Sequence, residues 1–259
     1  MKNLFSLQGK SAVVIGGGGG IGRAIAKGLA FYGAEVLIAG RAVESLTVAA
    51  EEIYRETGRS VHIHPVNVED ENSVNTLVTD AEQTLGGVDI LVNSQGVNIK
   101  KSAFDMTVAD WDKTFAVNTR GVMLCSLGFA KKMCERGFGR IIIVSSVREY
   151  GAAPGNGLAL SYSSSKGAVR MFSRQLAAEL ADKGVTVNTI CPAATKTAAG
   201  QTTEKLLPGI EQRLIAKIPL GRMAAPEDMI GAAVYLASEA GAFVTGTDLF
   251  VDGGFSCVN

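Results

Sequence analysis

The sequence predicts a doubly wound α/β fold, a seven-stranded parallel sheet with helices on both faces, formed by residues 1–259 as one domain. Three observations predict it. Apolar runs of strand length alternate with segments of helical periodicity along the whole chain, so each strand reaches the next through a crossover. A run of glycines joins the first strand to the first helix. No Pro- or Ser-rich linker and no repeat divides the chain, and 259 residues at 47% hydrophobic content can bury one large core.

The elements follow in order. Ser11–Ile15 is an apolar run ending in glycine, and Ile21, Ala24, Ile25, Leu29 and Ala30 mark the helix after it. Glu35–Ala39 is the second strand and Val43–Glu56 the second helix. Strand Val61–Val66, helix Glu71–Leu85 and strand Asp89–Asn93 keep the alternation. A long helical stretch covers much of Val108–Arg136, followed by strand Arg140–Ser145, a helix beginning near Tyr162, and strand Val185–Cys191. An irregular segment, Ala193–Lys217, breaks the rhythm before a helix at Pro226–Ser238 and a last strand, Thr247–Val251.

Composition narrows the function. Lys plus Arg equals Asp plus Glu at 25 each, which argues against nucleic acid and membrane surfaces as partners. No stretch approaches the roughly 18 apolar residues that span a bilayer, and Met1–Phe5 lacks a signal-peptide core. A cytoplasmic protein is expected. Cys125, Cys134, Cys191 and Cys257 show no metal or disulfide spacing and read as buried small hydrophobes in a reducing compartment. His62 and His64 read as strand-surface residues without an acidic partner, so no metal site is expected and no histidine base is at hand.

Two motifs carry chemistry. Gly16-Gly17-Gly18-Gly19-Gly20-Ile21-Gly22 lies between a strand and a helix, the setting of a Rossmann-type dinucleotide site. Without Cβ atoms the backbone can approach a pyrophosphate, whose charge is favoured at a helix N-terminus. The second strand ends Ala39-Gly40-Arg41, with no carboxylate for a ribose 2′-hydroxyl, and Arg41 suits a 2′-phosphate. NADP(H) is therefore the favoured cofactor, with NAD(H) the alternative. The second motif is Tyr162-x-x-x-Lys166, two side chains one turn apart on a helix face. A free phenol has a pKa of about 10, too high for a base at neutral pH. An ammonium about 5 Å away, at an effective dielectric near 20, would favour the phenolate by roughly 3 kcal/mol, about two pKa units.

Together these motifs resemble the short-chain dehydrogenase/reductase family over essentially the whole chain. Gly16-x-x-x-Gly20-Ile21-Gly22 is similar to its TGxxxGIG loop, with Ile15 in place of threonine, and Asn93-Ser94-Gln95-Gly96 to its NNAG segment. Asn118, Ser146, Tyr162 and Lys166 correspond to its catalytic tetrad. Pro192 to Thr197 resembles PGxxxT with Ala193 for glycine, and Val251-Asp252-Gly253-Gly254 is similar to the usual ending. Asn67-Val68 stands where Asp-Val often meets the adenine.

The resemblance implies that Tyr162 is the acid/base, and that Lys166 binds the nicotinamide ribose and lowers the Tyr162 pKa. It further implies that Ser146 hydrogen-bonds the substrate oxygen and that Asn118 holds a proton-relaying water. Ser145 competes for the serine role. The expected cofactor contacts are Gly16, Gly18, Gly19, Gly20, Ile21, Gly22, Arg41, Asn67, Val68, Asn93, Gly96, Tyr162, Lys166 and Thr197. A homotetramer or dimer is implied.

The substrate is a small molecule whose identity is only outlined. Sixteen positions separate Ser146 from Tyr162, so Arg148–Leu160 forms a loop at the site mouth, and Ala193–Lys217 covers the substrate. Arg148, Lys100 and Lys101 gather near that mouth and suggest an anion. Similar basic pairs occur in members resembling gluconate 5-dehydrogenases, so a sugar acid or polyol is expected. The alternatives are a 3-oxoacyl-(acyl-carrier-protein) reductase, with Arg136 and Lys183 meeting the carrier, and a non-catalytic dinucleotide sensor.

Overall fold

The computed structural model describes residues 3–152, 158–197 and 208–258. Seven parallel strands lie in the order β3-β2-β1-β4-β5-β6-β7. They are β1 Ser11–Ile15, β2 Glu35–Gly40, β3 His62–Pro65, β4 Ile90–Asn93, β5 Gly139–Val144, β6 Val185–Pro192 and β7 Asp248–Val251. The helices are α1 Gly20–Phe31, α2 Val43–Thr57, α3 Glu71–Leu85, α4 Val108–Phe115, α5 Gly121–Arg136, α6 Leu160–Leu180, α7 Ile210–Ile215 and α8 Ile230–Ala237. Strand order reverses between β1 and β4, which puts a crevice beyond the carboxyl ends of those two strands.

Period-two alternation divides the core. Val13 and Ile15 of β1 face Phe129 and Val169 on the side of α3, α5 and α6. Ala12 and Val14 face Ile25, Leu29 and Leu236 on the side of α1, α2 and α8. Both faces of the central strands are covered, which is why those strands read as continuous apolar runs rather than alternating ones.

Three departures from the sequence reading bear on function. The stretch Val108–Arg136 is two helices joined by a π-helical turn, Ala116–Arg120, and that turn carries Asn118. The helix expected at Pro226–Ser238 begins as a 3-10 turn, Pro226–Met229. Helix α7 lies within the segment expected to be irregular, of which residues 198–207 lie outside the described residues. Residues 153–157 of the expected mouth loop lie outside them too.

The histidines do have acidic partners. His62 Nε2 lies 3.2 Å from Glu35 Oε1 and His64 Nε2 3.0 Å from Asp80 Oδ2. The first pair joins β3 to β2 and the second joins β3 to α3. Among the cysteines, Cys125 and Cys191 are buried as expected, whereas Cys134 is half-buried and Cys257 exposed. Among the described residues, no helix is long and apolar enough to cross a membrane.

Candidate active site

A cleft of about 970 Å³ opens at the strand-order reversal. One side is backbone. Gly16 takes φ +79°, its N–H donates to the Ala39 carbonyl at 2.7 Å, and a Cβ there would meet the Ser94 and Gln95 backbone. A Cβ on Gly22 would run into the Gly16 carbonyl oxygen. These approaches hold the N-terminus of α1 beneath the turn. Gly19, the N-cap, lines the cleft with open space where a Cβ would stand, and the first turn of α1 has no acidic side chain. That arrangement fits a pyrophosphate: bare N–H donors, the positive end of a helix and room that a side chain would fill.

Other expected cofactor contacts divide between the wall and its support. Gly16, Gly19, Gly20, Ile21, Gly22, Arg41, Val68, Gly96 and Thr197 line the cleft. Arg41 is exposed at the tip of β2. Gly18 lies behind the turn, against Ser45 and Leu46. Asn67 also stands outside the wall: its Oδ1 accepts from the Glu69 N–H at 3.3 Å, and Val66, Val68 and Glu69 form the wall in its place. Asn93 is buried, donating to Ser126 Oγ at 3.1 Å and accepting from Gln95 Nε2 at 3.3 Å, so it braces the end of β4.

The other side is built from side chains. Asn118 is fully buried; its Oδ1 accepts from the Val97 N–H at 2.8 Å, and its Nδ2 donates to the Val97 carbonyl at 2.9 Å and Ser165 Oγ at 3.0 Å. This ties the loop after β4 to α6. Lys166 is 3% exposed and donates to the Val144 carbonyl at 2.9 Å. Burial pushes its pKa down from 10.5 to about 8, against the charge of Glu149. Tyr162 faces the same space, with the Lys166 ammonium 5.7 Å from its ring centroid.

Burial raises the Tyr162 pKa, while a hydrogen bond from Ser146 and the charge of Arg148 pull it down. The expected depression by Lys166 is therefore not the dominant effect in this structure. A uniform dielectric of about 20 omits desolvation, which penalises phenolate and ammonium alike in a closed site. The hydroxyl joined to the phenol belongs to Ser146; Ser145 also lines the cleft, and its Oγ is buried without a hydrogen-bond partner. Ser146 is 8% exposed and starts a 3-10 turn, Val147–Glu149, accepting the Arg148 N–H at 3.2 Å.

Of the three cations expected at the mouth, two enter the cleft. Lys100 and Arg148 both line it, and each loses basicity through burial, Lys100 further through the charge of Arg148. Arg148 lies 5.3 Å from the Phe255 ring centroid and bonds the Ala152 carbonyl. Lys101 is turned away onto Asp110 Oδ2 at 2.6 Å. Val147, Ile218 and Phe255 form a small apolar cluster beside them, with Ile210 and Leu214 of α7 completing the wall.

Sequence reasoning missed Glu149. Its side chain is fully buried behind Ser146, accepting a hydrogen bond from Cys191 Sγ at 3.2 Å. A glutamate next to an arginine in a loop reads as solvated, and no spacing rule links position 149 to β6 or α6.

The chain's relatives are consistent in kind. A family model described as enoyl-(acyl carrier protein) reductase matches residues 16–256. The chain is 36% identical over 250 residues to the 3-oxoacyl-(acyl-carrier-protein) reductase FabG of Aquifex aeolicus, covering 96% of this chain and 98% of that protein. It is 34% identical over 256 residues to the 5-keto-D-gluconate 5-reductase of Escherichia coli, covering 98% of each. It superposes on a gluconate 5-dehydrogenase from Burkholderia cenocepacia, solved in complex with NADP and tartrate, with a TM-score of 0.91 and 32% identity over 98% of each chain.

Proposed function

The chain belongs to the short-chain dehydrogenase/reductase family, and on that premise we propose that it interconverts a hydroxyl and a carbonyl on a sugar acid or polyol. It is an oxidoreductase with NADP(H) as the favoured cofactor. NADP(H), when bound, gives or takes the hydride at the substrate carbon. The chain's own groups handle the oxygen. Tyr162 Oη exchanges the proton, Ser146 Oγ shares the reacting oxygen with it, and the Lys166 ammonium stabilises the phenolate whenever the proton is away. Asn118 holds the Val97 backbone against α6, which keeps Ser165 and its neighbours in register.

The observation that carries the substrate reading is the pair Lys100 and Arg148, two partly desolvated cations on the wall that holds Tyr162. A carboxylate placed between them would relieve both burial and mutual repulsion. The B. cenocepacia relative was crystallised with tartrate, a dicarboxylate, which supports an acid substrate. The FabG relative favours the second reading, a carrier-bound 3-oxoacyl substrate. Against it, Arg136 of the two expected carrier contacts is paired with Glu82 at 2.6 Å, while Lys183 stays half-exposed on the Glu179 carbonyl. We also read the protein as a cytoplasmic homo-oligomer, dimer or tetramer.

A panel of 5-ketogluconate, ketohexoses, polyols and acetoacetyl thioesters, assayed with NADPH and NADH, tests the reading. The keto acid with NADPH is expected to turn over fastest. Activity confined to the thioesters would replace the sugar-acid reading with the carrier reading, and cofactor binding without turnover on any substrate would replace both with a sensor.

A further inference from the structure

Ser146, Val147 and Arg148 follow one another at the turn after β5, and all three line the cleft with different chemistry. Ser146 supplies a hydroxyl beside Tyr162, Val147 an apolar branch and Arg148 a cation. Val147 packs with Ile218 and Phe255, and Ala193 and Ala194 extend that cluster beyond the end of β6. The Phe255 ring centroid lies 5.3 Å from the Arg148 guanidinium carbon, so the apolar patch begins where the cation ends.

Helix α7 continues the patch. Ile210 and Leu214 stand one turn apart and line the cleft, while Gln212 and Arg213 between them are exposed. The helix thus turns its apolar side onto the cleft, where both side chains stay half-buried. Covering them with hydrocarbon is favourable, in proportion to the apolar area removed from water. A hydroxyl placed there fares worse. Among the described residues, the cleft wall from Val144 to Phe255 carries no carboxylate and no side-chain amide. Thr195 Oγ1 already donates to the Ala193 carbonyl at 3.1 Å. A substrate hydroxyl against this patch would give up water and gain no partner in exchange.

We propose that the acid this site takes is poor in hydroxyls, a deoxygenated sugar acid or an unbranched hydroxyalkanoate. Its carboxylate meets Arg148 and Lys100, its reacting oxygen meets Tyr162 and Ser146, and its remaining carbons cover Val147, Phe255 and the inner side of α7. The proposal rests on the acid reading of the site and narrows it. The reaction is unchanged: the substrate carbon gives its hydride to NADP+ while the hydroxyl proton leaves through Tyr162, or the reverse.

D-Gluconate and racemic 5-hydroxyhexanoate test it. They share a carboxylate and a hydroxyl at the same places on a six-carbon chain, and only the sugar acid bears further hydroxyls. With NADP+, the wild-type kcat/KM for 5-hydroxyhexanoate is expected to exceed that for gluconate about tenfold or more. Leu214→Asn and Ile210→Asn give the patch an amide and should each shrink that ratio about fivefold, with the NADPH Kd within about twofold. A substitution that merely loosened the fold would lower both values alike and leave the ratio in place. Gluconate preferred by the wild type, or a ratio that neither substitution moves, overturns the inference and leaves the acid reading standing. Hexan-2-ol oxidised as well as 5-hydroxyhexanoate would instead overturn the carboxylate contact, and the acid reading with it.

Discussion

From Ile15 to Arg41 the cleft wall is mostly backbone, laid down by consecutive residues: a strand end, a glycine turn, a helix N-terminus and the tip of the next strand. From Lys100 to Phe255 it is side chains gathered from the loop after β4, the turn after β5, α6, α7 and the C-terminal turn. The first side recognises a group through N–H donors and space, and tolerates little change. The second recognises through charge and shape, with side chains that come from separate elements.

Tyr162 stands on the seam, so its replacement tests the division most severely. Tyr162→Phe removes only the exchanging proton, and turnover should fall about a thousandfold while NADPH affinity by fluorescence titration stays within about twofold. Residual activity above a tenth would mean another group moves the proton. Arg41→Glu lies wholly on the backbone side. NADPH affinity should weaken by about ten- to a hundredfold more than NADH affinity, the worth of a charge-assisted hydrogen bond, with the substrate KM unmoved. An equal response to both cofactors would make Arg41 a merely solvated side chain.

The difference between the two sides also explains what was legible in the sequence. Gly16, Gly22 and Arg41 sit at fixed offsets within one strand-turn-helix-strand unit, so local spacing was enough to find them. Strands β1, β2, β4, β5 and β6 were legible for a similar reason, since burial on both faces writes itself as an apolar run, whereas the more exposed β3 and β7 were legible from the alternation of strand and helix. Asn67 and Asn93 were placed near the cleft by the family resemblance, but which way their side chains turn depends on Glu69 and Ser126, and a motif match does not encode that. Glu149 lay beyond reach altogether. Its environment is made by Cys191 and Arg170, which are 42 and 21 positions away in the chain. The π-helical turn at Asn118 was likewise hidden, because Val108–Arg136 keeps helical periodicity through it.

On the side-chain wall, Arg148→Met and Lys100→Met should each raise KM for a keto-acid substrate by about tenfold, since each deletes one charge-assisted hydrogen bond to the carboxylate. KM for a neutral polyol and the NADPH Kd should stay within about twofold, since neither change touches the glycine turn. A matching loss of cofactor affinity would break the division of the cleft into two sides.

The smallest effect is expected one residue further on, and it is the most discriminating. Lys101 follows Lys100 directly but gives its ammonium to Asp110 Oδ2 at 2.6 Å rather than to the cleft. Asp110 is also the capping-box acid of α4, accepting from the Thr107 N–H at 3.0 Å while its own N–H donates to Thr107 Oγ1 at 3.2 Å. Lys101 and Thr107 together hold its pKa down to about 2. Because the folded value lies below the ordinary value of 3.8, the stabilisation is present above that pH and is lost as pH falls through about 2. Lys101→Met should thus lower the melting temperature slightly at neutral pH, with the gap to wild type closing as pH drops from about 4 towards about 2. Its KM for the keto acid should remain within about twofold, as the charge it removes is screened from substrate by its partner. If Lys101→Met raised that KM as much as Lys100→Met, general positive charge at the mouth, and not two placed cations, would be selecting the substrate.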